Sequence, residues 1–145
     1  MLPVVKHALQ QLAPGYVPDV VVLLQPTQPL RRAEHVRLAL EMLTDDWDSV
    51  VSVTEIPAHY SPDLAARIVD GRLTPLQPVP PTRRQDCRPA YVRDGTVYVV
   101  RREVIEDGSL YGGDCRAMIV PFDESCTLDT EDDWLRAEQM TKAVV

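Results

Sequence analysis

The sequence is poor in cysteine, lacks long apolar runs and has no excess of positive charge, and each absence excludes a class of protein. Its cysteines, Cys87, Cys115 and Cys126, are odd in number and show no C-x-x-C spacing, which argues against zinc and redox sites. Reduced thiols in a cytoplasm are the simplest account. No apolar run approaches the ~20 residues that span a bilayer, and only Lys6 brings positive charge to the N-terminus. We therefore predict an unexported, cytoplasmic protein.

The charge balance and the missing catalytic motifs narrow the function further. With 22 acidic and 15 basic residues, the chain carries a net charge of -7, which argues against a nucleic-acid or anionic-membrane surface. The histidines, His7, His35 and His59, have no second ligand at metal-binding spacing, and no serine lies in a G-x-S-x-G turn. Acyl transfer and histidine-based metal chemistry therefore have no support.

The most informative segment is an apolar run, residues 20–24, followed by the polar, proline-stiffened loop QPTQPLRR. A run without alternation is apolar on both faces, which is typical of a buried strand in a parallel sheet. In open α/β sheets, ligands bind at the loops that follow such strands. Gln25, the first loop residue, is therefore a candidate binding residue, because its amide both donates and accepts hydrogen bonds. A plain strand-to-helix turn is the alternative.

The remaining pattern predicts one α/β domain over residues 1–145. Helical periodicity covers residues 4–12, ended by Pro14-Gly15, and residues 33–43. The β-branched segment 49–54 completes a right-handed βαβ crossover, so we expect a parallel sheet. A proline-rich excursion at 57–89 and a hairpin turn at Asp94-Gly95 together span about residues 57–100. A short strand begins at Met118, and Thr130 is placed to cap a terminal helix.

Five segments, taken in order along the chain, carry a resemblance. They are LLQPTQPLRR, DSVVSVTE, RRQD, AYVRDGTVYVVRREVI and LDTEDDWLRAE. Together they resemble the acylneuraminate cytidylyltransferases, also called CMP-sialic acid synthetases. The resemblance implies a Rossmann-like three-layer sandwich of the nucleotide-diphospho-sugar transferase type. It also implies transfer of CMP from CTP to a 2-keto sugar acid, sialic acid or a relative, with Mg²⁺ and release of pyrophosphate.

The resemblance assigns roles to individual residues. Gln25 matches the family's sugar-binding glutamine, and Tyr98 matches its sugar-binding tyrosine at the end of an N-G-x-x-Y motif. Asp129 matches the second carboxylate of the pattern D-x-D-T-x-x-D and is the candidate Mg²⁺ ligand. Without the resemblance, Asp129 is an acid at a helix terminus, Gln25 a turn amide and Tyr98 a half-buried strand tyrosine.

Some positions depart from the family pattern. Thr127 stands where the family usually has its first metal carboxylate, so we expect weakened Mg²⁺ binding. Asp94 replaces the usual asparagine of the N-G turn. Val92 occupies a position at which some members carry an arginine that faces the sugar carboxylate. Arg93 substitutes for that arginine only if it faces the same way, because a one-residue offset on a strand reverses the face.

The family's phosphate-binding loop, which is rich in glycine, arginine and lysine, has no counterpart in the sequence. None of the six glycines lies in a strand-to-helix loop beside lysine. By the resemblance, the chain corresponds to the C-terminal two-thirds of the enzyme, without its first strands, and we expect no CMP transfer by this chain alone. Three readings stay open: a segment of a working cytidylyltransferase, a non-catalytic remnant that dimerises or binds sugar, and an unrelated α/β domain with coincidental matches.

The expected partners follow from the same resemblance. CTP and a keto-sugar acid are the implied small molecules. A sheet without its first strands leaves an apolar edge, and such edges associate. The family also uses the proline-rich excursion at its dimer interface. We therefore predict a homodimer or a larger homo-oligomer.

Overall fold

The computed structural model describes residues 1–13 and 15–142. Pro14, predicted to end the first helix, lies outside the described residues, as do residues 143–145. The described elements are α1 (Leu2–Leu12), β1 (Val20–Leu23), α2 (Ala33–Met42), β2 (Ser49–Glu55), β3 (Ala66–Val69), β4 (Arg72–Pro75), β5 (Tyr91–Arg101), α3 (Arg102–Glu106), β6 (Cys115–Ile119) and α4 (Glu131–Lys142), with 3₁₀ turns at Ala58–Tyr60, Pro62–Leu64 and Arg84–Asp86. Among these residues, no helix is both long and apolar enough to cross a membrane.

Four strands form one mixed sheet in the order β1-β5-β2-β6. β5 runs antiparallel to both of its neighbours, whereas β2 and β6 are parallel. The prediction of a purely parallel sheet with β1 buried inside it is therefore wrong. β1 and β2 do run in the same direction, but β5 separates them, and β1 is a half-buried edge strand. Local pattern could not reveal this, because β1 is apolar on both faces in either arrangement.

Helices cover both faces of the sheet, which produces three layers. One apolar cluster lies between the sheet and helices α1 and α3. It consists of Val5, Val51, Tyr98, Val100, Val104, Ile105 and Leu110. A second apolar cluster lies between the other face of the sheet and α2. It consists of Ala39, Val50, Val97, Val99, Met118 and Val120. Successive residues of β2 and β5 thus point into opposite cores, as a pleated strand requires. These two central strands are the most deeply buried part of the sheet.

A single strand, β5, runs where the sequence predicts a hairpin. Asp94-Gly95 lies inside β5 and not at a turn, so that prediction is wrong. Val51 of β2 pairs with Tyr98, whereas Val53 pairs with Arg93, so β5 carries extra residues between these two pairs. They form a bulge in which Gly95 has φ +80°. Bulges and tight turns both favour glycine at positive φ, which explains why the dipeptide suggested a turn.

The hairpin of this region lies earlier in the chain. β3 and β4 pair antiparallel around Asp70-Gly71. Both turn residues have positive φ, 50° and 76°, as the two central residues of a type I′ turn do. Asp70-Gly71, and not Asp94-Gly95, therefore forms the tight turn of a hairpin.

We call residues 57–89 the arm, because they leave the sheet after β2 and return to it at β5. Both strands of the arm are exposed along their whole length. Its apolar side chains Ile68, Leu73 and Val79 are 77%, 74% and 87% exposed. Its buried side chains, Ser61 and Asp63, are polar. The arm therefore has no apolar core of its own.

Helix α4 begins directly after Thr130, as the sequence predicts. The Thr130 hydroxyl accepts a hydrogen bond from the Asp133 backbone N–H at 3.2 Å. The Asp133 carboxylate in turn accepts from the Thr130 backbone N–H at 2.9 Å and from its hydroxyl at 2.8 Å. This reciprocal cap satisfies donors that a helix start leaves free and fixes the end of the loop before it.

Candidate functional site

A cavity of about 570 Å³ opens at the sheet edge where the carboxyl ends of β1, β2 and β6 meet the amino end of β5. Its walls come from the loop after β1, the bulge of β5, the loop of residues 120–130 and the start of α4. This is the edge at which open α/β sheets bind ligands.

The structure brings the four sequence-predicted site residues, Gln25, Arg93, Tyr98 and Asp129, to this one cavity. Arg93 and Tyr98 are an odd number of residues apart, so a regular strand would place them on opposite faces. The bulge between them removes that constraint, and both side chains line the cavity. Whether Arg93 faces as the family's arginine at the position of Val92 does stays a prediction. The ligand-binding role of each residue stays a prediction.

Gly95 determines where the Gln25 side chain lies. A methyl group on Gly95 would overlap the Gln25 Oε1 atom and lie 3.1 Å from its Cδ. Arg31 secures the same contact, because its Nε donates to the Thr96 carbonyl at 2.6 Å and its Nη2 donates to the Gln25 carbonyl. The Gln25 amide therefore rests directly on the backbone of the bulge, and a side chain at position 95 would push this amide aside.

Asp94 is buried, and its carboxylate joins the bulge to the loop after β6. It accepts hydrogen bonds from the Thr96 N–H at 3.2 Å, the Thr96 hydroxyl at 2.6 Å and the Ser125 hydroxyl at 3.0 Å. A buried carboxylate needs such donors to offset its desolvation. The residue that replaces the family's asparagine therefore has a structural role in shaping the cavity wall.

Gln28 is a residue that sequence reasoning missed. Its side chain is 4% exposed, and its Nε2 donates to the Asp94 carbonyl and, at 2.6 Å, to the Thr127 hydroxyl. The Thr127 hydroxyl itself donates to the Asp94 carbonyl at 3.2 Å. The signal was present, since Gln28 lies in the same loop segment as Gln25, but nothing local indicates that its partners lie in distant segments.

Two tyrosines, Tyr98 and Tyr111, line the cavity beside Arg93. Burial, and then the nearby Tyr111, raise the pKa of Tyr98, so its phenol is protonated at neutral pH and can donate a hydrogen bond. The two tyrosine rings lie 6.4 Å apart. The Arg93 guanidinium lies 5.0 Å from the centre of the Tyr111 ring and donates to the Tyr111 hydroxyl. Sequence reasoning also missed Tyr111, which supports Arg93 from outside β5.

The carboxylates at the start of α4 differ in their availability to a cation. The Asp129 carboxylate lines the cavity and accepts no hydrogen bond in the described part of the chain. The Asp133 carboxylate is engaged by the cap, and its hydrogen bond from the Thr130 side chain, with those from the backbone, lowers its pKa. Within residues 1–13 and 15–142, no group of three His, Cys, Asp or Glu side chains could hold a metal ion. The donor set fits only an ion that also takes oxygens from a ligand, as Mg²⁺ commonly does.

Glu124 ties the loop of residues 120–130 to the start of α2. Its carboxylate pairs with Arg32, which precedes α2, and lies 3.4 Å from His35 Nε2 in the first turn of α2. The hydrogen bond from Arg32, supported by His35, lowers the pKa of Glu124. This contact positions the loop that carries Ser125, Thr127 and Asp129.

The chain is similar in sequence to enzymes named for CMP-sugar acids. It is 33% identical over 132 residues to the CMP-N,N'-diacetyllegionaminic acid synthase of Legionella pneumophila, which covers 84% of this chain. It is 30% identical over 118 residues to an N-acylneuraminate cytidylyltransferase of Streptococcus agalactiae, covering 79% of this chain. It is 31% identical over 124 residues to N-acylneuraminate cytidylyltransferase A of Danio rerio, covering 83%. No protein-family model matches the chain.

These matches cover only part of the length of each relative. The chain spans 53% of the Legionella protein, 28% of the streptococcal protein and 29% of the zebrafish protein. The resemblance to acylneuraminate cytidylyltransferases that the five segments indicate is thereby confirmed as a match to part of each relative. The reading in which these matches are coincidental is wrong.

A solved structure confirms the fold class. The CMP:2-keto-3-deoxy-manno-octonic acid synthetase in complex with CTP superposes with a TM-score of 0.64 and 15% sequence identity. The match covers 97% of this chain and 68% of that one. The α/β fold of the described residues is therefore the nucleotidyltransferase fold that the resemblance implies.

Proposed function

We propose that the cavity binds the 2-keto sugar acid of a CMP-transfer reaction, with Gln25, Arg93 and Tyr98 as its binding residues. The observation that carries this proposal is that these side chains line one cavity together with Asp129, although they come from three segments: the loop after β1, strand β5 and the loop before α4. The relatives' names supply the reaction class.

The chemistry of the three binding residues suits such a ligand. A 2-keto sugar acid carries one carboxylate and several hydroxyl groups. The Arg93 guanidinium can pair with the carboxylate through charge-assisted hydrogen bonds. The Gln25 amide and the Tyr98 phenol can exchange hydrogen bonds with hydroxyl groups. Because the cavity is open to water, we expect dissociation constants in the millimolar range, roughly -4 kcal/mol of binding free energy.

In the proposed reaction, the anomeric oxygen of the sugar bonds to the α-phosphorus of CTP. The bond from that phosphorus to the bridging oxygen breaks, and pyrophosphate leaves. This chain's contribution is to hold and orient the sugar, with Asp129 as the protein carboxylate for Mg²⁺. The ion, when bound, neutralises charge on the transferring phosphate. Because Thr127 is neutral and engaged with Gln28, we expect weak Mg²⁺ binding in the absence of nucleotide.

A second candidate is a module without catalysis that binds sugar or dimerises. The engaged Thr127 hydroxyl favours it, as does the absence of a basic, glycine-rich loop from the sequence. We expect this chain alone to release no pyrophosphate from CTP and a sugar acid, because nothing in it cradles a triphosphate. Release above a no-enzyme control that disappears in Asp129→Ala would contradict this expectation.

We further propose a homodimer or larger homo-oligomer that uses the arm. Its exposed Ile68, Leu73 and Val79 form the kind of apolar surface that marks a protein interface. A hairpin of two strands is marginally stable in water by itself. A second copy that packs on the arm would bury these side chains and stabilise it.

The binding proposal is tested with N-acetylneuraminic acid as the probe, by ligand-dependent NMR shifts and melting temperature. The wild type should respond at millimolar concentration, and Gln25→Ala should lose most of that response. Gln11→Ala is the matched control, because Gln11 is an exposed glutamine on α1. An equal response of Gln25→Ala and wild type, or no response at tens of millimolar, would overturn the proposal.

A further inference from the structure

Two arginines of the cavity lie on aromatic rings and form no ion pair in the described part of the chain. The Arg93 guanidinium lies over Tyr111, and the Arg136 guanidinium lies 4.5 Å from the centre of the Phe122 ring. Arg136 also donates to the Phe122 carbonyl at 3.3 Å. Other arginines do pair with carboxylates, as in Arg32–Glu124, Arg37–Glu41 and Arg102–Glu106. Arg31, Arg67 and Arg116 also form no ion pair in the described residues, so what distinguishes Arg93 and Arg136 is that both line the cavity.

The acids of the lining limit how the cavity can bind an anion. Asp94, Asp129 and Asp133 line it beside Arg93 and Arg136, so the carboxylates outnumber the guanidinium groups. The hydrogen bonds that Asp94 accepts from Thr96 and Ser125, and that Asp133 accepts in the cap, occupy carboxylate oxygens but leave the negative charges in place. Anion binding here therefore depends on the directed N–H donors of the two arginines and not on a positive net charge of the cavity.

Arg136 is well prepared to bind a phosphate. A guanidinium has five N–H donors in a planar fork, and Arg136 uses a single Nη2 contact on the Phe122 carbonyl. Stacking on the Phe122 ring restricts its orientation, so little side-chain entropy is lost when it binds. Its place on α4, in the same wall as Asp129, sets it apart from Arg93 on β5.

We propose that Arg136 is a second anion-binding residue of the cavity and binds the phosphate of a CMP-sugar acid, while Arg93 binds the sugar carboxylate. This assignment rests on the proposed function and specifies how one cavity discriminates among its ligands. A CMP-sugar acid carries both anions, the free sugar acid carries only the carboxylate, and CMP carries only the phosphate. The two arginines thus make the cavity selective for ligands with both groups.

The experiment measures the affinity of CMP-N-acetylneuraminic acid, CMP and N-acetylneuraminic acid for wild type, Arg136→Gln and Arg93→Gln. Loss of a charge-assisted pair should weaken binding roughly 10- to 100-fold. Arg136→Gln should show this loss for CMP and the CMP-sugar and leave the free sugar acid unchanged. Arg93→Gln should do the reverse with the two single-anion ligands. Arg136→Lys, which keeps the charge without the planar fork, should lie between wild type and Arg136→Gln.

The chain offers a matched control in Arg116, whose guanidinium lies 5.6 Å from the Trp47 ring centre and donates to the Met42 carbonyl at 3.0 Å, outside the cavity. Arg116→Gln should bind all three ligands as wild type does. Equal weakening of CMP and of the free sugar acid by Arg136→Gln would overturn the assignment while the proposed function stands.

If wild type binds none of the three ligands, the proposed function fails. Titration with inorganic phosphate then tests the anion-binding role of Arg136 separately. The Arg136 Nε–H NMR signal should then shift with phosphate while the Arg116 signal does not. An unmoved Arg136 signal would overturn its anion-binding role.

Discussion

The sheet and the arm obtain their shape in different ways. β2 and β5 bury apolar side chains on both faces, and residues such as Val50 and Val99 are fully inaccessible. Between residues 57 and 89, by contrast, the buried side chains are Ser61 and Asp63, and the hairpin strands are exposed throughout. Turn chemistry and backbone pairing shape the arm without a core. Conformational stability therefore resides in the sheet, and the arm offers its apolar residues to a partner.

The largest expected effect contrasts two isoleucines. Ile105→Ala removes a fully buried side chain from the core on the α1 and α3 face, and we expect the free energy of unfolding to fall by about 2–5 kcal/mol. Ile68→Ala, in the exposed arm, should change the unfolding of the monomer by less than about 0.5 kcal/mol. Denaturant unfolding at low protein concentration measures both. Similar losses would show that the arm packs against the sheet.

The same arm residues should matter once the chain associates. Ile68→Ser with Leu73→Ser should abolish the concentration dependence of the melting temperature and give a monomer in sedimentation velocity, because bound copies stabilise only the associated state. The control is Leu40→Ser, an exposed leucine on α2. A wild type that stays monomeric at high micromolar concentration would contradict the arm's role.

Substitutions at two glycines with positive φ distinguish the cost of backbone strain from the cost of steric crowding. Gly71 of the arm has φ +76° with open space around it, whereas Gly95 has φ +80° with Gln25 against it. Gly71→Ala should cost about 1–2 kcal/mol for the backbone alone. Gly95→Ala should cost less than about 1 kcal/mol beyond this backbone cost, because the Gln25 amide that it meets is the end of a flexible side chain, but the displaced amide should lose the response to sugar acid. A retained response in Gly95→Ala would show that the position of this amide does not matter for binding.

Two glutamines test the polar contacts of the cavity wall. Gln28→Ala removes one of the two donors to the buried Asp94 carbonyl and the donor to the Thr127 hydroxyl. At about 0.5–1.5 kcal/mol for each hydrogen bond, we expect a loss of about 1–3 kcal/mol of unfolding free energy. Gln77→Ala, at a glutamine of the arm, should change stability by less than about 0.5 kcal/mol. Chemical denaturation of both variants checks this. A neutral Gln28→Ala would mean that the loop of residues 120–130 is held by Glu124 and Ser125 without it.

The smallest expected effect concerns pH and Glu124. Its pKa is lowered by Arg32, so its contribution to stability is complete above the usual carboxyl range near pH 4.3 and is lost as pH falls through the lowered value. The Glu124 side chain is 35% exposed, so solvent screening limits the contribution to about 0.2–1 kcal/mol. Wild type should exceed Glu124→Gln in unfolding free energy by this amount at pH 6, and the difference should shrink as the pH falls below the usual carboxyl range. A constant difference across that range would assign the effect to packing.

Much of the fold follows from local pattern because periodicity and capping are local. The spacing of apolar residues predicts α1 and α2, and Thr130 predicts the start of α4. Strand neighbours are not local. Asp94-Gly95 and Asp70-Gly71 have the same sequence, and whether the dipeptide turns the chain or bulges within a strand depends on partners such as Ser52, whose hydroxyl accepts from the Val97 N–H at 2.9 Å. No window around residue 94 contains that information.

The candidate site was predictable only in part for the same reason. Gln25, Tyr98 and Asp129 lie in segments that the family resemblance identifies, and the structure brings them to one cavity. Gln28, Tyr111 and Arg136 became visible only with tertiary contacts, because each acts through a residue far away in sequence. The role of Asp94 changed for the same reason, from the expected turn residue to the centre of a buried hydrogen-bond network.

The central place of β5 has a consequence for the order in which the molecule can assemble. β1, α2 and β2 leave the ribosome before β5, yet β1 and β2 cannot pair with each other, because β5 must lie between them. Both strand edges stay open until the whole arm has been synthesised, which exposes the nascent chain to misassociation. Pairings between strands so distant in sequence also fold slowly. Since Arg93 and Tyr98 belong to β5, the cavity should form in the last kinetic phase of refolding, after the helices.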